Sequence, residues 1–441
     1  MTDVKFTATA AFDRKLFRET GDSVRYLVAR LWARRKVNRR PAERAPLNIA
    51  LVIDASGSMD GGKLEAAKEA ALGLAERLTE GDRLTVVSFA SDVQVHLDAV
   101  PVDKDNADRI RTEVSCLHTR GLTCLSGGWF AGVECAARVA EEDPRMRPRV
   151  IILSDGHANQ GIVDPEKLRE HAGELRMRGV LTSALGIGDG YDEQLLRGIA
   201  ENGGGRLHDA ELTNEISSVL LGELDDIFGT IVEDAQITLA VPAGVRVEVL
   251  GRRYSELRNG CIRVPIGPVQ NDIERVAVFK VACPGAQQGE KLNFELAATG
   301  RAVDDDRYVL ETGTVVARLV AADETANMAQ PRDTEIAAIV ARFWSAQVVA
   351  TAARMNRDGA YEDAERYIER ELRHFRRYVE GLDRGREMIR ELELLAQRAG
   401  RQFSSRLCKE MVLQSSLAME SRVDRRGMGK AAWSARMECG D

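Results

Sequence analysis

The chain has 441 residues, 44% of them apolar and 30% charged, and a formal net charge of −7. At about 100–200 residues per domain, that length holds two to four domains with ordinary globular composition. The mild acidity argues against a chain-wide nucleic-acid surface, and no run reaches the roughly 20 uncharged apolar residues of a membrane span.

The start, MTDVKFTATAAFDRK, has no basic stretch leading into an apolar core. No signal peptide is visible, and a cytoplasmic location is expected. Seven cysteines are scattered without a CxxC pair: Cys116, Cys124, Cys135, Cys261, Cys283, Cys408 and Cys439. That usage predicts reduced thiols rather than a disulfide framework or a zinc knuckle.

In chain order, residues 1–45 carry two strand-like runs, near Val4–Ala10 and Val24–Ala33, followed by the basic connector RRKVNRRPAERAP. Residues 46–228 change character. LNIALVID is a short, nearly continuous apolar run, as expected of a strand buried on both faces. From Lys63 to Leu78, Leu64, Ala67, Ala71, Leu74 and Leu78 form one helical stripe. LTVVSFA and VQVHL read as a strand and its hairpin partner, with helices expected near 103–116 and 126–141. RVIILS is a strand, Pro165 opens a helix at its first position, and VLTSALGI is another strand. A helix from Tyr191, a short strand RLHD and a helix over Glu215–Phe228 close the region. This alternation predicts an α/β domain with a doubly wound, mostly parallel sheet covered on both faces.

Residues 229–322 show six strand-like segments and no helix, the pattern of an antiparallel β-sandwich. The N-terminal strands are expected to complete it, with the α/β domain inserted between. Residues 333–417 predict a helical domain. Residues 418–441 have no periodicity and predict a poorly ordered tail.

Three segments carry the chemistry. The first strand of the α/β region ends in Asp54-Ala-Ser56-Gly-Ser58-Met59. His118-Thr-Arg-Gly121-Leu-Thr123 precedes a helix, and Ser154-Asp155-Gly156 follows a later buried strand. Ligands of open parallel sheets bind beyond the carboxyl ends of the strands. There, two carboxylates and three hydroxyls suit a hard cation such as Mg²⁺, with Mn²⁺ and Ca²⁺ as alternatives. Two carboxylates offset the 2+ charge. Uncharged hydroxyl ligands leave the ion electrophilic toward an incoming carboxylate.

This three-part pattern resembles the metal-ion-dependent adhesion site of von Willebrand factor type A domains. The resemblance covers about residues 46–228, including ALGIGDGYDEQLLRGIAENGGGRLHDA. It implies Ser56, Ser58 and Thr123 as direct ligands, with Asp54 and Asp155 acting mostly through water. Met59, His118, Gly121 and His157 are the expected rim. The wider layout resembles bacterial relatives of inter-α-trypsin inhibitor heavy chains and of calcium-activated chloride channel proteins. The resemblance implies a metal-dependent interaction module without catalysis, whose partner presents Asp or Glu; with no export signal visible, an intracellular adaptor or assembly role is expected. An AAA+ ATPase is one family-based partner. Resemblance to switchable members further implies that the helix after Asp209 shifts with ligand occupancy.

Two other chemistries compete. Gly57–Lys63 fits the G-x4-G-K phosphate loop of an NTPase, but Leu64 stands where Ser or Thr should hold Mg²⁺, and Asp60 would repel phosphate. This reading leaves Lys63 on a solvated helix face. A hydrolase using Ser56 or Ser58 lacks the G-x-S-x-G elbow, and His157 reads as a loop residue rather than a base. Cys116, Cys124 and Cys135 match no zinc spacing and read as packed thiols; Trp129 and Phe130 read as core.

Overall fold

The computed structural model describes residues 3–35, 45–143, 145–251, 255–303, 305–420 and 433–439. Three strands come first: β1 (Val4–Phe12), β2 (Leu16–Arg18) and β3 (Ser23–Arg35). Most of the expected basic connector, at 36–44, lies outside the described residues. The described residues divide into two units, one over 45–230 and the other made of 3–35 together with those from 231 on.

The α/β unit runs β4 (Leu47–Asp54), α1 (Lys63–Arg77), β5 (Arg83–Phe89), β6 (Val93–Pro101), α2 (Ala107–Ser115), α3 (Leu125–Glu142), β7 (Arg147–Ser154), α4 (Pro165–Met177), β8 (Leu181–Ile187), α5 (Glu193–Asn202), β9 (Gly204–Ala210) and α6 (Ile216–Gly229). Its sheet has the order β6-β5-β4-β7-β8-β9 and is parallel except for β6. LNIALVID lacks alternation because both faces are covered. Ile49, Leu51 and Ile53 pack with Leu64, Leu74, Ile216 and Leu220, whereas Ala50 and Val52 pack with Trp129, Leu168 and Leu196. The chain winds from β4 to β5 on one side, then crosses to β7 on the other. The sheet's switch point is therefore between the carboxyl ends of β4 and β7, where a ligand crevice is expected.

The second unit continues with β10 (Thr230–Ala240), β11 (Arg246–Leu250), β12 (Glu256–Arg258), β13 (Cys261–Gln270), β14 (Arg275–Cys283), β15 (Lys291–Ala302), β16 (Asp305–Glu311) and β17 (Val315–Ala322). Eight strands thus stand where six were expected. The three-residue β12 and the seven-residue β16 were missed because neither shows a clean apolar alternation. One sheet has the order β1-β3-β14-β11 and the other β12-β13-β10-β15-β17-β2. β3 pairs with β14 over Ser23–Leu31, so the N-terminal strands lie within the sandwich. The four-stranded sheet is covered twice. Leu27, Leu31 and Phe279 face the sandwich core, and Tyr26, Val28, Val276 and Val278 face a helical layer.

α7 (Glu324–Ala329) lies against β2, and the layer comprises α8 (Thr334–Arg357), α9 (Tyr361–Val379), α10 (Gly385–Ala399), α11 (Ser405–Met419) and α12 (Trp433–Cys439). On α9, Ala364, Ile368, Leu372, Phe375 and Val379 form one buried stripe at helical spacing. α8 is long and apolar enough, by length and composition, to cross a membrane; 61% of its most apolar window is buried, with Val340, Phe343 and Val348 fully so, as suits a core helix. The tail is not all irregular. α12 buries Trp433 and Met437 in the helical core, whereas residues 421–432 lie outside the described residues.

Candidate metal centre

β4 delivers Asp54 to the switch point, fully buried. Its Oδ1 accepts the Ser56 amide at 2.8 Å, an Asx turn that starts the loop. A single 3₁₀ turn over Gly57–Met59 follows. This turn sends Met59 into the core, fully buried, and leaves Ser58 exposed. Met59 is therefore an anchor beneath the site, not part of its rim. The Ser56 and Ser58 hydroxyls lie 3.0 Å apart.

Backbone bonds stitch the other two segments to this turn. Gly57 N–H donates to Gly121 O at 3.2 Å, and Arg120 N–H donates to Ala55 O. Gly121 has φ +27°, and a Cβ there would stand 2.2 Å from Ser91 Oγ, so a side chain at that point would be strained and would force Ser91 to shift. Arg120 fixes the same loop through Asp92 Oδ1 and Ser88 Oγ, both at 3.0 Å. Thr123 N–H donates to Asn159 Oδ1 at 2.9 Å, and Thr123 O accepts from Asn159 N–H at 3.1 Å. Asn159 thus locks the Thr123 loop to the segment after β7. Neither Arg120 nor Asn159 was singled out in the sequence, because their roles depend on contacts between loops.

Asp155 follows β7, with its side chain buried. Its Oδ1 accepts the Ser58 hydroxyl at 2.7 Å. Lys63 Nζ pairs with Oδ2 and donates to Ser58 O at 3.1 Å. Lys63 is therefore not on a solvated helix face; it turns back into the site. Ser154, given no role from the sequence, donates its hydroxyl to Asp54 Oδ2 at 2.6 Å. Burial raises the Asp54 carboxyl above its usual range, and neighbouring Asp155 adds to that, while Ser154 and Ser56 oppose it.

The donors converge. A Cβ placed on Gly156 would stand 3.4 Å from Ser58 Oγ, 3.6 Å from Thr123 Oγ1 and 3.8 Å from Asp54 Oδ2. Oxygens from two of the segments thus border one small space beside the third, which the missing side chain of Gly156 leaves open. Hydroxyl and carboxylate oxygens are the donor set of a hard divalent cation. Ser56, Ser58 and Thr123, with Asp54 and Asp155, would hold such an ion. It would supply an electrophilic centre with room for an outside ligand. Gly156→Ala is expected to weaken Mg²⁺ binding on the order of tenfold, with the metal-free unfolding midpoint unmoved. Titration calorimetry reads this, and an unchanged affinity would place the ion away from Gly156.

His118, Gly121 and His157, the residues expected at the rim, are exposed. His118 Nδ1 is 3.2 Å from Cys116 O, and His157 Nδ1 is 3.6 Å from Asp192 Oδ2. Leu122, 51% exposed between Gly121 and Thr123, joins the rim, although nothing in the sequence marked it. Among the thiols, Cys135 is buried and Cys124 half-buried, but Cys116 is exposed rather than packed. Trp129 is core, donating to Thr182 Oγ1 at 3.2 Å.

Residues 48–220 match the family model of the von Willebrand factor type A domain. This segment is a type A domain. It is 36% identical over 166 residues to human inter-alpha-trypsin inhibitor heavy chain H3, covering 36% of this chain and 18% of that protein. It is 34% identical over 173 residues to an uncharacterized protein of Synechocystis sp., covering 39% of each. The chain therefore spans well under half the length of these curated relatives. Among solved structures, a von Willebrand factor type A protein from Catenulispora acidiphila superposes with TM-score 0.69 at 18% identity, covering 96% of this chain and 97% of that one. The ArnB paralog VWA2 from Sulfolobus acidocaldarius gives 0.57 at 13% identity, covering 95% and 99%. At those identities the likeness concerns the fold, and it extends beyond the type A domain to both units. Type A domains are commonly metal-dependent protein-interaction modules.

Proposed function

We propose that this chain is a metal-dependent protein-binding module: a Mg²⁺ ion at the β4–β7 switch point takes an Asp or Glu side chain from a partner protein. The observation that carries the reading is the convergence of Ser58, Thr123 and Asp54 oxygens on the space beside Gly156, at an edge where Ser58, Gly121 and Leu122 are exposed. Neutral hydroxyl ligands leave the cation short of negative charge, which a partner carboxylate supplies. Leu122 offers that partner an apolar contact next to the ion. The reading assigns no catalysis. His157 faces Asp192 rather than a site hydroxyl, and Lys63, the lysine a phosphate loop needs, is engaged by Asp155. A cytoplasmic adaptor role completes the proposal, and an AAA+ ATPase as one partner class rests on the family resemblance.

Immobilised protein in Mg²⁺ is expected to retain a partner from lysate. EDTA should release it, restored Mg²⁺ should recover it, and Thr123→Ala should fail to hold it. Retention indifferent to EDTA and to Thr123→Ala would move recognition to the sandwich or the helices.

A further inference from the structure

Two carboxylates, Asp54 and Asp155, are buried within one small site. Two like charges enclosed in one small site repel each other, and a positive charge beside them relieves that repulsion. Lys63 supplies one. Its Nζ contacts Asp155 Oδ2 and Ser58 O, and its stem runs beside Gly188, whose added Cβ would lie 3.9 Å from Lys63 Cε. The lysine's place in the chain is otherwise unfavourable. Lys63 is the first residue of α1, after the Gly62 cap, where the helix dipole disfavours a cation. The cost of that position is offset by the ion pair across the loop.

We propose that Lys63 is a built-in counter-cation that competes with the divalent ion for Asp155 and so sets the metal affinity of the site. The inference rests on the metal-site reading above. In the metal-free protein the ammonium neutralises Asp155 and holds the Ser58 turn against the end of β7. An arriving divalent ion must either displace it or bind against its repulsion, and both weaken metal binding. Lys63 is thus a positioning residue whose positive charge works against the ion its neighbours attract.

Titration calorimetry of the full chain with MgCl₂ tests this, with thermal melts confirming that each variant is folded. Lys63→Met is expected to bind Mg²⁺ about tenfold more tightly than the parent, the scale of one nearby unit charge. Lys63→Gln retains a hydrogen-bond donor without the charge and should show the same gain, which keeps the test available if the methionine variant does not fold. Lys63→Arg keeps the charge and should stay within about twofold of the parent. Unchanged or weaker Mg²⁺ binding by a folded charge-neutral variant, beside a parent that binds, overturns the competitor role alone. A parent that binds no divalent ion overturns the metal site and this inference together.

Discussion

Replacing Glu223 with alanine is expected to cost the α/β unit about 3–5 kcal/mol, the scale of breaking a buried charge network by removing one member. Glu223 lies on α6 and is buried against β8 and β9. Its Oε1 accepts Ser183 Oγ at 2.6 Å, and its Oε2 meets His208 Nε2 at 2.7 Å and Arg206 Nη2 at 2.8 Å. Burial alone would raise this carboxyl, but the charges of Arg206 and His208 more than reverse that and hold it far below its ordinary value of 4.5. The sign follows. A carboxyl depressed in the folded state supplies stability that is full above pH 4.5 and fades as the pH falls toward the folded value. Denaturant unfolding at pH 7 and at pH 3 should therefore show the parent losing stability with acid, and Glu223→Ala losing less. Glu223→Gln should recover part of the loss, because an amide oxygen still accepts from Ser183 or Arg206. A deficit below about 1 kcal/mol for the alanine variant would show that the network is energetically neutral. The same bonds bear on the expected movement of this helix. Any slide of α6 along its axis has to break three contacts to one buried carboxylate, so a switch at α6 would be an all-or-none event.

Asp54→Asn should abolish stabilisation by Mg²⁺ without unfolding the protein. At a metal concentration near 100 times Kd, mass action adds about 2.7 kcal/mol to the parent. The asparagine variant should gain none of it, since its side chain keeps the shape but removes a charge that offsets the ion's 2+. The amide oxygen can still accept from Ser56 N–H, and the amide nitrogen can donate to Ser154 Oγ, reproducing the contacts of Asp54. Because burial and Asp155 both disfavour the charged form of Asp54, the metal-free variant should melt at or above the parent. A site arranged for binding rather than stability behaves in this way. Thermal melts of parent and variant, with and without Mg²⁺, decide the matter, and equal metal shifts in both would remove Asp54 from the site.

The sequence by itself was enough to locate the parallel sheet and the three chemical segments. Burial on both faces removes alternation from a strand, so LNIALVID and RVIILS stand out as continuous apolar runs. The residues that follow them are then forced to the carboxyl ends of the sheet. Side-chain chemistry at those ends, Asp54-x-Ser56-x-Ser58, Thr123 and Asp155, already suggests a hard cation. Tertiary structure decided what depends on distance between segments. Lys63 read as solvated because a sequence carries no record of Asp155 standing across the loop. Met59 read as rim because residue type alone does not reveal that the 3₁₀ turn drives it inward. Gly156 became meaningful only when Ser58, Thr123 and Asp54 were found around it. Likewise, β2 and β12 are three-residue strands set by their neighbours rather than by their own pattern. α12 acquires its place from burying Trp433 and Met437 against α10 and α11. Periodicity records which face of an element is covered. Which partner covers it, and which charge meets which, is settled only when the chain closes on itself.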